Sequence, residues 1–115
     1  MSDFIGDSNI ASVVIACYNG EKWINRCFES LCHQGIKDFD IIVVDDCSTD
    51  RSIKMLEKWK LIFNNMQIIK NKKNVGLGEV RNIGISKTKT KYFILLDIDD
   101  VLPKNTILNF SRIVW

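Results

Sequence analysis

The spacing of apolar positions changes several times along the chain, and each change marks an element. Residues 12–16, Ser-Val-Val-Ile-Ala, form a continuous apolar run rich in β-branched side chains, the pattern of a strand covered on both faces. It ends at Tyr18-Asn19-Gly20. From Glu21 onward Trp23, Ile24, Cys27, Phe28 and Leu31 recur at helical spacing, which predicts an amphipathic helix to about Gln34 with Gly35 as its stop. A second buried strand over 41–44 runs into Asp45-Asp46-Cys47-Ser48-Thr49-Asp50, a polar loop that suits a turn and a helix N-cap. Ile53, Leu56, Trp59 and residues 61–63 predict a second helix. Residues 66–69 read as a third strand and 71–74 as a turn. Gly76-Leu77-Gly78 opens a third helix with Val80, Ile83 and Ile85 on its apolar stripe. Residues 92–96 predict a fourth strand ending in Asp97-Ile98-Asp99-Asp100, and Pro103 suits the first turn of a fourth helix.

Strands alternating with helices at this spacing predict βαβ units, hence an α/β fold with a mainly parallel sheet and helices on both faces. Ligands of such sheets bind at the carboxyl ends of the strands. Here those ends carry Cys17 to Asn19, Asp45 to Asp50 and Asp97 to Asp100, so polar chemistry converges on one edge. No repeats or low-complexity tracts interrupt the pattern. The expected organisation is an N-terminal tail over 1–9 and a single domain over 10–115. The last helix carries Ile107, Leu108, Phe110, Ile113, Val114 and Trp115 and then stops. An apolar stripe with nothing after it leads us to expect a domain truncated at its C-terminus; the alternative is a helix that packs back.

Composition narrows the function classes. With 115 residues and 46% apolar content the chain suits one core. Sixteen basic against fourteen acidic residues give a net charge of +2, too balanced for a nucleic-acid binder. The lysine runs at 70–73 and 87–91 read as solvated loops. Four cysteines form no C-x-x-C pair, which points to reduced thiols and a reducing compartment. Cys27, Cys32 and His33 are a poor zinc set, because the spacing of the two thiols splays them over different helix faces. There is no leader-like start and no apolar run of about 18 residues, so the segment is expected to be cytoplasmic, without a membrane span.

Two acidic groups carry the candidate chemistry. Asp97, Asp99 and Asp100 follow an apolar strand, so several carboxylates meet at one sheet edge. A hard divalent cation such as Mn²⁺ or Mg²⁺, shared with substrate phosphates, would offset their repulsion. Acids that simply cap a strand end are the plain alternative. Asp45 and Asp46 leave the second strand in opposite directions, so one suits the following turn and the other the cleft. A carboxylate there can accept a hydrogen bond from a base N–H or a ribose hydroxyl. Gly76, Gly78 and Gly84 do not have dinucleotide spacing, so no NAD site is expected. Glycines ahead of a helix, with Arg81 one turn in, suit a phosphate; a Gly-rich turn with a surface arginine is the plain alternative.

Four blocks, 12–19, 38–50, 76–82 and 96–100, are similar in order and spacing to family 2 glycosyltransferases, over about 10–103. The resemblance implies the Rossmann-like donor half of a GT-A fold, which binds a nucleotide-diphospho-sugar with a divalent cation. It places Ala16, Tyr18 and Asp46 around the base, Arg81 near the nucleotide, Asp97 near ribose or metal, and Asp99 on the metal that bridges the diphosphate. It further implies inverting sugar transfer, with a UDP-sugar favoured as donor and a glycan or lipid-linked acceptor, in polysaccharide synthesis at the inner membrane face. Two positions depart from the family: Ala16 where it often has Pro, and Cys47 where it often has Gly. Both concern loop shape. The catalytic base is unassigned, because in the family it comes from a C-terminal half of roughly another hundred residues. Two other readings remain: a non-catalytic α/β nucleotide-binding or interaction module, and a flavodoxin-like or response-regulator-like domain. The last expects an acidic pair after the first strand, but here the pair follows the second.

Overall fold

The structure is a computed structural model that describes residues 9–114. Nearly all of the expected tail, and Trp115 of the last apolar stripe, lie outside the described residues. Four strands and four helices alternate: β1 (Ala11–Cys17), α1 (Ile24–Leu31), β2 (Phe39–Asp45), α2 (Ser52–Lys60), β3 (Met66–Lys70), α3 (Leu77–Ser86), β4 (Tyr92–Asp97) and α4 (Thr106–Val114). The strands form one sheet in the order β3-β2-β1-β4, with every neighbouring pair parallel. The chain steps outward from β1 through β2 to β3, then crosses to the far side of β1 for β4. The order therefore reverses between β1 and β4, where a parallel sheet opens a crevice.

Side-chain alternation divides the core in two. Odd positions of β1 and β2 (Val13, Ile15, Cys17, Ile41, Val43) meet Ile24, Cys27, Phe28 and Leu31 of α1, Leu56 of α2 and Ile107 of α4. Even positions (Ala16, Ile42, Val44) meet Val80 of α3. Helices thus cover both faces, as the continuous apolar strands predicted. Burying each large aliphatic or Phe side chain contributes about 1.5–3 kcal/mol. Phe28 anchors the larger core, stacked on Trp59 at 5.5 Å and tilted to Phe63 at 6.0 Å. The α3 layer stops short of β4, where Phe93 and Leu95 are exposed.

The expected helix to Gln34 ends earlier, at Leu31. The amides of Cys32 and His33 turn back to the carbonyls of Glu29 and Ser30, which tightens the last turn, and Gly35 follows at φ 81°. Gln34 lies outside the helix and is fully buried. Its Nε2 donates to the carbonyls of Ser30, Leu102 and Pro103, and its Oε1 accepts Ile107 N–H at 3.0 Å. It therefore clasps the end of α1 to the start of α4. Pro103 is not in the first turn of α4, which begins at Thr106. Asn105 in the left-handed region at φ 61° interrupts the path, and Pro103 O accepts Thr106 N–H and Oγ1–H. The last helix does pack back at its start: Ile107 is fully buried and Phe110 meets Tyr92 edge-on at 5.1 Å. Ile113 stays exposed.

Candidate nucleotide and metal site

The reversal point carries an open cleft of about 500 Å³, lined by Ala16, Cys17, Tyr18, Trp23, Asp46, Asn74, Gly76, Leu77, Val80, Asp97, Ile98 and Asp99. Parallel registry explains the convergence. Ala16 is opposite Asp97 and Cys17 opposite Asp45, so three strands end level and release their polar residues on one rim. Cys17 O accepts Asp46 N–H and Ala16 O accepts Ile98 N–H, which extends the ladder one residue into each loop.

The two acids after β2 divide their work. Asp45 is buried and accepts Ser48 N–H at 2.9 Å and Ser48 Oγ–H at 2.6 Å, so it caps the turn. Asp46 faces the cleft, and Oδ1 accepts Asn71 Nδ2–H and Val75 N–H while Oδ2 accepts Gly76 N–H, all within 3.0 Å. Burial alone would raise the Asp46 carboxyl. The three bonds from Asn71, Val75 and Gly76 outweigh it and hold the carboxyl below its ordinary value. A carboxylate offers about four acceptor positions, so Asp46 pins the start of α3 and keeps capacity for one more bond.

The loops after β1 and β2 are laced together. Asn19 N–H donates to Ser48 Oγ, Thr49 N–H to Asn19 Oδ1, Gly20 N–H to Ser52 Oγ and Arg51 N–H to Glu21 Oε1. Asp50 accepts the amides of Glu21 and Ser52, so it supports the start of α2 from one residue ahead of the cap. Cys47 sits at φ 68°, a region glycine enters without strain. That is in keeping with the glycine that the family often has at this position.

On the other wall stand Asp97 and Asp99, and with Asp100 their carboxylate oxygens lie within 4.8 Å of one another. Arg81 is not part of the cleft wall. It stands behind Asp97, with Nη2 at 3.1 and 3.0 Å from the two carboxylate oxygens. Of the residues singled out in the sequence, Ala16, Tyr18, Asp46, Asp97 and Asp99 share the cleft. Sequence reasoning missed Trp23, read as an apolar helix position, and Asn71 and Asn74, read as a turn. Asn74 Nδ2 donates to Asp46 O. The only signal for these asparagines was their place after the strand next to β2.

A four-stranded parallel sheet with its cleft at the reversal point defines a doubly wound, Rossmann-like α/β protein. Comparison with known proteins agrees with that class and gives the family. Residues 12–111 match the model of glycosyl transferase family 2. The chain is 37% identical over 100 residues to the teichoic acid poly(glycerol phosphate) polymerase of Staphylococcus epidermidis, covering 86% of this chain and 14% of that protein. It superimposes on TarS of S. aureus in complex with UDP-GlcNAc with a TM-score of 0.86 at 30% identity, covering 91% of this chain and 31% of that one. It is also similar to GalNAc-T7 with UDP, GalNAc and Mn²⁺, at TM-score 0.73 and 27% identity, over 84% of this chain and 19% of that one. The chain belongs to glycosyl transferase family 2, and it spans a third or less of each of these relatives.

Proposed function

We propose that this chain is the donor-binding part of a sugar transferase that uses a nucleotide-diphospho-sugar, with a UDP-sugar as donor and a glycan or lipid-linked polymer as acceptor. One observation carries the reading: an all-carboxylate cluster and the carboxylate that pins the start of α3 face each other across a single cleft. In this reading Asp46 binds the base with its remaining acceptor position, and Ala16 and Tyr18 flank it. Tyr18 is 52% exposed, which leaves its ring free to cover the base. Complexes of TarS with UDP-GlcNAc and of GalNAc-T7 with UDP and Mn²⁺ support the uridine choice and the cation.

The donor set fits a hard divalent cation, because every nearby ligand atom is a carboxylate oxygen. Arg81 engages both oxygens of Asp97, so Asp99 and Asp100 are the freer ligands, and Asp97 serves as a shared ligand or a ribose acceptor. A bound Mn²⁺ or Mg²⁺ supplies charge neutralisation for the departing diphosphate. The chain's own residues bind and orient the donor. We assign the general base for the acceptor hydroxyl to the remainder of the protein, so this polypeptide binds donor without turning it over. Among the described residues no helix is long and apolar enough to cross a membrane. A polymer acceptor accords with the relative named as a teichoic acid polymerase, and we place its synthesis at the cytoplasmic membrane face.

The test is calorimetric titration of UDP and GDP with and without Mn²⁺, for the parent chain and Asp99→Ala. The expected result is Mn²⁺-dependent UDP binding that Asp99→Ala abolishes. UDP binding by the parent that ignores Mn²⁺, or that survives Asp99→Ala undiminished, overturns the metal assignment; no binding of either nucleotide overturns the function.

A further inference from the structure

Resting on that reading, we propose that Trp23 is the platform for the donor's sugar, a specificity-determining residue on the cleft wall opposite Asp46. Trp23 occupies the N-cap position of α1 and makes no side-chain capping bond. Ser, Thr, Asp or Asn at such a position typically stabilises a helix by capping it. The position instead holds a large ring that is 40% exposed and lines the cleft. Among the described residues its indole N–H has no hydrogen-bond partner, unlike Trp59, whose Nε1–H donates to Asn25 Oδ1 at 2.9 Å. Trp23 therefore offers the cleft an apolar face and a free donor.

Two observations put the start of α1 beside the acid cluster. A Cβ at Gly20 would lie 2.9 Å from the Ile98 side chain, so the segment leading to Trp23 is pressed against the residue between Asp97 and Asp99. One turn along α1, Cys27 feels the charges of Asp100 and Asp99. The start of α1 thus forms the acid-side wall, and Asp46, Asn74 and Gly76 form the other. A nucleotide held by its base at Asp46 and by its diphosphate at the acids leaves the sugar as the group that reaches α1. A pyranose presents a face of C–H bonds and a rim of hydroxyls. The indole matches both, by stacking and by donating its N–H to a hydroxyl.

The experiment compares UDP, UDP-glucose and UDP-GlcNAc by calorimetry in Mn²⁺, for the whole 115-residue chain and for Trp23→Ala, Trp23→Leu and Trp23→Phe. The expected result is that Ala and Leu weaken at least one sugar nucleotide about five- to ten-fold with UDP unchanged, and that Phe retains most of the affinity. The Leu variant keeps apolar bulk at the wall, and is read the same way if Ala does not fold. Equal losses for UDP and both sugar nucleotides, or no loss for any, overturn the assignment of Trp23. Failure of the parent chain to bind UDP sinks the function itself, a separate outcome.

Discussion

Both carboxylate oxygens of Asp97 face one nitrogen of Arg81, Nη2, at 3.1 and 3.0 Å. The pair is partly exposed, with side-chain accessibilities of 38% for Arg81 and 33% for Asp97, so water screens it and its own contribution to stability is about 0–1 kcal/mol. Arg81 also buries its Nε–H without an acceptor, which costs about 1–3 kcal/mol. The two effects oppose, so the arginine is not there for stability. Arg81→Met is expected to leave the thermal midpoint within about 4 °C of the parent and to weaken Mn²⁺-dependent UDP binding about ten-fold, because Asp97 is no longer held. A melting point that falls steeply alongside the affinity would make Arg81 a packing residue.

Asp46 is expected to couple stability to acid pH. Its folded carboxyl lies below the ordinary value, so the folded chain binds protons less readily than the unfolded one. Its contribution is therefore full above the ordinary carboxylate range, about pH 4, and lost as the pH falls through that range and below. Asp50 acts in the same direction: burial alone would raise its carboxyl, and the hydroxyl and amide of Ser52 and the amide of Glu21 outweigh it. Asp46→Asn turns an amide hydrogen toward Val75 or Gly76 N–H and is expected to cost about 1–3 kcal/mol at neutral pH. Urea midpoints at neutral and acid pH check both statements. The variant should lose less between the two than the parent, and an equal loss in both counts against this role.

The layered fold was legible because its signal is periodic. Val13, Ile15, Ile41 and Val43 are apolar on one face of the strands, and Val14, Ile42 and Val44 on the other, so a sheet covered on both faces followed directly. The acids were legible because each stood at the end of such a run. Gln34 and Trp23 were not. Gln34 belongs to no periodic stripe, and three of its four partners lie 68 to 73 residues away. Trp23 fits the helical period, so its apolar character read as core although its ring reaches the cleft. The resemblance put Arg81 near the nucleotide and its position one turn into α3 suited a phosphate, but only the fold shows that it pairs with Asp97.

The four free cysteines are expected to separate into two pairs. Burial, then the charge of Asp45, pushes the Cys17 thiol up to about 12; burial, then Asp100 and Asp99, does the same for Cys27. Cys32 is exposed and Cys47 half-buried. The thiolate is the reactive form, so iodoacetamide at about pH 8 should alkylate Cys32 and Cys47 and reach Cys17 and Cys27 only in denaturant. Because the two folded thiols hold their protons more tightly than unfolded ones, their contribution is full below about pH 9 and lost as the pH rises toward 12. Peptide mass mapping after timed alkylation is the check. Native-state labelling of Cys27 as fast as Cys32 would contradict the packing of α1 on the sheet.

Gly84 links the packing of α3 to the cleft. A Cβ at this position would lie 2.4 Å from Val14 Cγ1 and 3.3 Å from Val44 Cγ2, so α3 rests directly on β1 and β2 where its stripe carries a hydrogen instead of a side chain. Neither valine is a flexible tip that can swing away, because both are β-branched and buried in the sheet. Gly84→Ala gains helix propensity of about 1 kcal/mol and must displace the helix, at a cost of typically 1–3 kcal/mol for an overpacked core. The net expectation is a small loss of stability. The larger effect should be on binding, because the same helix begins at Gly76 and Leu77 on the cleft wall and is tied to Asp46 through Gly76 N–H. Shifting α3 outward stretches that bond and moves Asp46 off its position for the base. Gly84→Ala is therefore expected to weaken UDP binding about three- to ten-fold with a melting temperature lowered by only a few degrees. In contrast Gly78, whose added Cβ meets nothing within 4 Å, should accept alanine with UDP affinity unchanged. If the two alanine variants behaved alike in titration and melting, the close approach of α3 to the sheet would not govern the geometry of the cleft.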